Sequence, residues 1–224
     1  MNEKMALLLE KLQVLKDLDA DYKVFGASSH KYQLFDTVDK REIDSFEGLY
    51  NIDLPIDYKL FLTEVGNGGA GPCYGLFPLG LMDEGYNTFG EWGDQVNLTK
   101  PFPFRDKYNN ESILSQGAPL ENNFSNSDAY MEAYDRWWDE NSERIMIEYW
   151  SEHALTGAIP ICHLGCAHRI WLVVDDGPER GNIWNDDSAN EAGVYPYRAG
   201  DKDRYSFFEW YCNWLDSSIE SLLN

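Results

Sequence analysis

Cysteine, positive charge and long apolar runs are all scarce in this 224-residue chain. The four cysteines, Cys73, Cys162, Cys166 and Cys212, are irregularly spaced, which argues against the disulfide framework of a small secreted domain. They are expected to be reduced and partly buried. The N-terminal apolar run Met5–Leu9 is cut off by Glu10 and Lys11, too short for a secretory h-region and far too short to span a bilayer. The mature protein is therefore expected to start near Met1 and to be cytoplasmic. Basic residues number 18 against 39 acidic ones, a formal net charge of −21 spread along the chain. Nucleic acid and anionic lipid both need a basic surface to displace counterions, so direct binding to either is disfavoured and a cationic partner is favoured. An acidic surface that simply keeps the protein soluble is the alternative.

What the chain does have is apolar and aromatic material: 43% hydrophobic residues, with 8 Trp, 14 Tyr and 11 Phe. A disordered chain carries far less. The length suits a single domain spanning 1–224 better than two small ones, with a loop and helix insertion at about 81–150.

Helical spacing of Leu8, Leu12, Leu15 and Leu18 predicts a first helix over Glu3–Leu18. Asp39, with Glu42 three residues on, caps a second helix through Ile43, Phe46 and Tyr50. Pro55 suits the first turn of a third, whose stripe is Tyr58, Phe61, Leu62 and Val65 and whose stop is Gly66. The glycine-rich run to Gly80 then turns the chain into a strand at Tyr74–Phe77. Beyond it come loops, short strands and a turn at Lys100–Phe104. Tyr130, Tyr134, Trp137 and Trp138 predict an amphipathic helix after a Ser127 cap. Strands are expected at Ile159–His163, Ile170–Val174, Asn182–Asn185 and Val194–Tyr197. Ser206 and Glu209 form a capping box for a last helix lined by Phe208, Tyr211, Leu215, Ile219 and Leu222. The class this predicts is α+β, a mostly antiparallel sheet flanked by helices.

Six strings carry a resemblance: FGASSHKYQLFD (25–36), LPIDYKLFL (54–62), GNGGAGPCYGLFPLG (66–80), KPFPF (100–104), IPICHLGC (159–166) and GPERGNIWNDD (177–187). In this order they resemble the SUKH superfamily, the Smi/Knr cell-wall-assembly regulator group, from about residue 25 to the last helix. The resemblance implies a SUKH fold and, as in most bacterial members, a non-enzymatic immunity partner of a polymorphic toxin, often a nuclease. The alternative is a regulatory or scaffolding module like the fungal relatives. It also implies that Leu54, Pro55, Tyr58, Phe61, Gly66, Asn67, Gly68, Gly69, Gly71, Pro72, Gly75, His163, Gly165 and Gly181 are structural motif positions. Asp39 and Lys40 depart from the family's Pro-rich lead-in, and the aromatic helix after Ser127 is extended.

Catalytic readings of these motifs are weak on chemistry. The glycine run lacks the Lys and Ser or Thr of a P-loop and follows a helix where a phosphate cradle would open one. Cys162, His163, Cys166 and His168 would have to converge to hold zinc, yet neighbours on a strand face opposite ways. The same geometry separates Cys162 from a His163 base. No metal, cofactor or catalysis is expected. Asp175, Asp176, Glu179, Asp186 and Asp187, drawn together by a hairpin, are either solvated turn acids or an acidic rim for a basic toxin. Glu91 and Trp92 are a further candidate contact, with Trp92 either an anchor or a lid folded over the core.

Overall fold

A computed structural model of the chain describes residues 1–82, 87–88 and 97–224. Asn2 accepts the Lys4 N–H at 2.9 Å and starts α1 (Glu3–Leu18), which buries Met5, Leu8, Leu12 and Leu15. Leu18 stays 43% exposed, so the stripe begins one turn earlier than its leucines suggest. A short turn of helix, α2 (Ala27–His30), precedes α3 (Lys40–Tyr50), where Asp39 and Glu42 satisfy each other's backbone N–H groups. Pro55 sits just ahead of α4 (Ile56–Glu64), one place outside the expected first turn.

β1 (Leu81–Met82) and β2 (Asn87–Thr88) make a separate small ladder. The main sheet is β3 (Ala158–Gly165), β4 (His168–Val173), β5 (Ile183–Asp186) and β6 (Val194–Pro196), antiparallel and in chain order. Its register places Ile159 beside Leu172, Leu172 beside Ile183, and Trp171 beside Trp184. Consecutive residues of β4 and β5 are buried, so both faces of the sheet are covered. The sheet's edges are closed as well. Phe77 and Tyr74 donate backbone N–H groups to the Ile161 and His163 carbonyls along β3, and Tyr108 exchanges two hydrogen bonds with Val194 on β6.

α6 (Phe207–Leu223) opens on the expected Ser206–Glu209 capping box and packs on α1 and α4. Phe207 meets Tyr58 and Phe61 at ring separations of 4.9 and 5.1 Å, and Tyr211 donates its hydroxyl to the Ala70 carbonyl. The buried face is Phe207, Trp210, Tyr211 and Leu215, rotated from the predicted one because Phe208, Ile219 and Leu222 only border the core.

Two expected elements are different. Tyr74–Phe77 is not a strand: Tyr74 and Phe77 each give β3 one hydrogen bond, but only Leu76 forms a β-bridge, an isolated one to Gly69. Lys100–Phe104 is not a turn, which instead falls at Leu98 and Thr99. Phe102 and Phe104 cover Trp184, Phe102 at 4.9 Å, so burial dictates the path of this Pro-rich string. The long helix α5 (Ser127–Glu152) is capped by Asn126, whose side chain accepts the Ala129 N–H, and not by Ser127. Ile145 and Tyr149 of α5 form a second small core with Ile113, apart from the main one. No helix among the described residues is long and apolar enough to cross a membrane.

Candidate functional site

Residues of the motif strings meet at one place. Ala70 donates to the Gln33 carbonyl, Phe35 to that of Gly68, and Gly69 and Leu76 exchange hydrogen bonds, while Phe77 reaches Ile161. A β-carbon on Gly69 would stand 2.4 Å from the Gln33 carbonyl oxygen, and one on Gly68 2.7 Å from that of Phe77. Both residues also have φ near +90°, so the loop needs glycine here for contact and for conformation. Gly66, Asn67, Gly71 and Pro72 belong to the same crossing, with the Asn67 side chain accepting the Leu79 N–H at 2.8 Å. Leu54, Tyr58 and Phe61 are buried in the main core, and Gly181 lies beside Pro55.

The crossing leaves a cleft of about 590 Å³ lined by Ser29, His30, Gln33, Tyr74, Gly75, Phe77 and His163 among others. His163 stacks on Phe77 at 5.7 Å and 13°, and its Nδ1 accepts the Gly165 N–H at 3.2 Å. His30 is buried between Tyr32 and Trp214, and its Nδ1 accepts the Tyr32 N–H at 3.1 Å. For His30 this leaves the proton of the neutral ring on Nε2. Burial pushes the His30 pKa down to about 4, against a smaller upward pull from the Gly71 carbonyl. His30 is a neutral structural imidazole at physiological pH. Nothing in the string FGASSHKYQLFD marks it as buried, because its covering Trp214 comes from α6.

Burial pushes the Cys162 thiol well up, with the Cys73 thiol beside it as a further upward influence, so no thiolate forms. Cys166 lies exposed at the β3–β4 turn, away from buried Cys162. His168 faces Asp187 at 3.5 Å through Nδ1 and Asn185 at 3.2 Å through Nε2, so neither nitrogen is free to act as a base. Among the described residues no three His, Cys, Asp or Glu side chains gather as a metal site.

The hairpin acids do not form one rim. Asp175 accepts the Gly177 N–H within the β4–β5 turn, and Asp176 stands in solvent 3.4 Å from Arg180. Glu179 is buried, holding Arg204 Nε at 2.7 Å and accepting from Asn182 and the Trp184 indole. Asp186 and Asp187 lie at the other end of β5. Burial raises the Asp186 pKa, against hydrogen bonds from Ser188 that lower it, and Asp187 is occupied by His168 and Asn190. Glu91 and Trp92 lie outside the described residues.

What the hairpin lacks, α5 supplies. Its carboxylates Asp128, Glu132, Asp135, Asp139 and Glu143 recur at i, i+4, i+7, i+11 and i+15, a single stripe. Sequence reading took the helix for its aromatic face alone and passed over these acids, although their spacing was visible. Comparison with known proteins yields no match, whether to a family model, a curated protein or a solved structure.

Proposed function

We propose that this chain is a non-enzymatic immunity protein of the SUKH type, which neutralises a cytoplasm-acting polymorphic toxin, a nuclease foremost, by binding and occluding it. The observation that carries this reading is charge: 39 acidic residues stand against 18 basic ones. Several basic side chains are drawn into intramolecular pairs, among them Lys59 with Glu47 and Asp53, Arg180 with Asp53, and Arg204 with Glu179. The surplus carboxylate is therefore available to a basic partner, which it steers and orients. The six motif strings support the SUKH part of the reading, and so does the way residues from several of them meet at one cleft.

The test is recovery of tagged chain from its native host, followed by co-expression with any toxin domain recovered. A stoichiometric basic partner whose toxicity is abolished by co-expression is the expected result. Recovery of cell-wall synthesis proteins with no toxin would replace this reading with the regulatory and scaffolding one.

A further inference from the structure

Two cysteines beside the cleft share a place and differ in access. Cys73 is half-buried and lines a second pocket, of about 350 Å³, whose walls include Phe25 and Trp214. Cys162 of β3 is fully buried. The two thiols are nevertheless in contact, joined by a hydrogen bond between their side chains. Their neighbours in sequence lie together as well: Tyr74 donates its N–H to the His163 carbonyl at 3.3 Å, and the two rings stand 5.1 Å apart where both line the larger cleft. One thiol is thus open to small solutes, and the other, touching it, is sealed from them.

The backbone at Cys73 is pinned. Its φ of +61° lies in the left-handed region, which a residue with a β-carbon keeps only where its surroundings hold it. Gly26 is one such hold, since a β-carbon there would stand 1.6 Å from the Cys73 carbonyl oxygen. Two sulfurs in hydrogen-bond contact on fixed backbones need only close to a bond of about 2 Å, largely by side-chain rotation.

We infer that Cys73 and Cys162 are a peroxide-reactive pair that closes into a disulfide beside the cleft. Hydrogen peroxide enters from the smaller pocket. Cys73, having given its proton to water, attacks one peroxide oxygen; the O–O bond breaks, hydroxide leaves, and the Cys73 sulfur becomes a sulfenic acid. The Cys162 sulfur then attacks that of Cys73, the S–O bond breaks, and the departing hydroxyl leaves as water with the Cys162 proton. In sum two thiols are oxidised to one disulfide and one peroxide is reduced to two waters. Burial suits Cys162 to the second step alone, because a protonated thiol out of reach of solvent does not meet peroxide itself. The bond ties the glycine-rich loop to β3 next to Tyr74 and His163, and so fixes one wall of the cleft.

The experiment uses the full chain with Cys166→Ser, a change at an exposed thiol that lets Cys162 be mapped by itself. Folded protein is treated with an equivalent of hydrogen peroxide, its remaining thiols are blocked with N-ethylmaleimide, and its peptides are mapped by mass spectrometry. A linked Cys73–Cys162 peptide that dithiothreitol separates is expected, with Cys212 left to be alkylated. With Cys162→Ala added, Cys73 should stop at a sulfenic acid that dimedone traps, and with Cys73→Ala added, Cys162 should stay reduced. Progress of Cys73 to sulfinic acid beside an untouched Cys162 overturns the inference, as does a disulfide from either residue to Cys212. So does survival of all the thiols under conditions that oxidise the urea-unfolded chain. Should the buried Cys162→Ala change prevent folding, the linked peptide from the chain that keeps both thiols still decides.

Discussion

Asp176 and Glu179 sit three residues apart in one turn, yet their surroundings are opposite. The Asp176 side chain is 87% exposed and its Arg180 contact is loose, at 3.4 Å. The Glu179 side chain is 12% exposed and answers three donors at once, from Arg204, Asn182 and Trp184. Glu179→Ala would leave those donors unmet, and is expected to destabilise the fold by about 2–3 kcal/mol, discounted because Arg204 retains some water. Asp176→Ala should stay within about 0.5 kcal/mol of the parent. Urea denaturation separates the two, and equal stabilities would restore Glu179 to the surface. His30 provides the pH counterpart. Its pKa is 6.5 in the reference state and about 4 when folded, so the unfolded chain takes up the proton first as pH falls. The stability this contributes is complete above pH 6.5 and is lost on descending towards pH 4, by up to about 3 kcal/mol. His30→Phe, which keeps an aromatic ring against Tyr32 and Trp214, should flatten that acid limb in urea melts at stepped pH. An unaltered limb would assign it to other groups.

Among the elements, those governed by neighbours in sequence were legible and those governed by distant ones were not. The capping boxes Asp39–Glu42 and Ser206–Glu209 are local pairs, and both form as the residues foretell. The four strands of the main sheet follow their apolar runs to within two residues at each end. The faces of α6 were misjudged because both of its sides carry aromatics, and Tyr58, Phe61 and Ala70 decide which side is buried. The hairpin acids were grouped for a similar reason: closeness in sequence hid that Asp176 and Asp187 lie beyond opposite ends of β5. The β3–β4 turn shows a local rule broken. Cys166 and Ala167 both have positive φ, +47° and +59°, at a two-residue hairpin loop where Asn-Gly is the unstrained choice. Cys166→Asn with Ala167→Gly should stabilise the protein by about 1–2 kcal/mol. At about 2–4 °C per kcal/mol for this size, the thermal midpoint rises by several degrees. A fall would mean that the Cys166 thiol or the Ala167 methyl makes a contact worth more than the strain.

At the scale of the whole molecule, one charge imbalance acts on two processes in opposite senses. Self-repulsion among surplus carboxylates opposes the compact state, while the same field draws in a basic partner. Salt screens both, with a Debye length of about 30 Å at 0.01 M and about 10 Å at 0.1 M. The ion pairs on the surface pull the other way, since screening weakens Lys59 with Asp53 or Lys40 with Asp44, but exposed pairs contribute little individually. At a net charge of −21 repulsion should win, so the thermal midpoint at pH 7 is expected to climb between 10 and 500 mM sodium chloride, both about those values and below the range where preferential exclusion dominates. Association with a basic partner should slow over the same range, with dissociation changing less because packed anchors set it. Reversing Asp186 and Asp187 to Lys cannot probe this field cleanly, since burial raises the Asp186 pKa and His168 and Asn190 hold Asp187. Asp135→Lys with Asp139→Lys on α5 can, since it removes charge from a solvent-facing stripe. That variant should show a higher midpoint at low salt, a slower association and a flatter salt dependence of both. A midpoint that instead drops with added salt would show that the ion pairs, and not the repulsion, govern the stability of the fold.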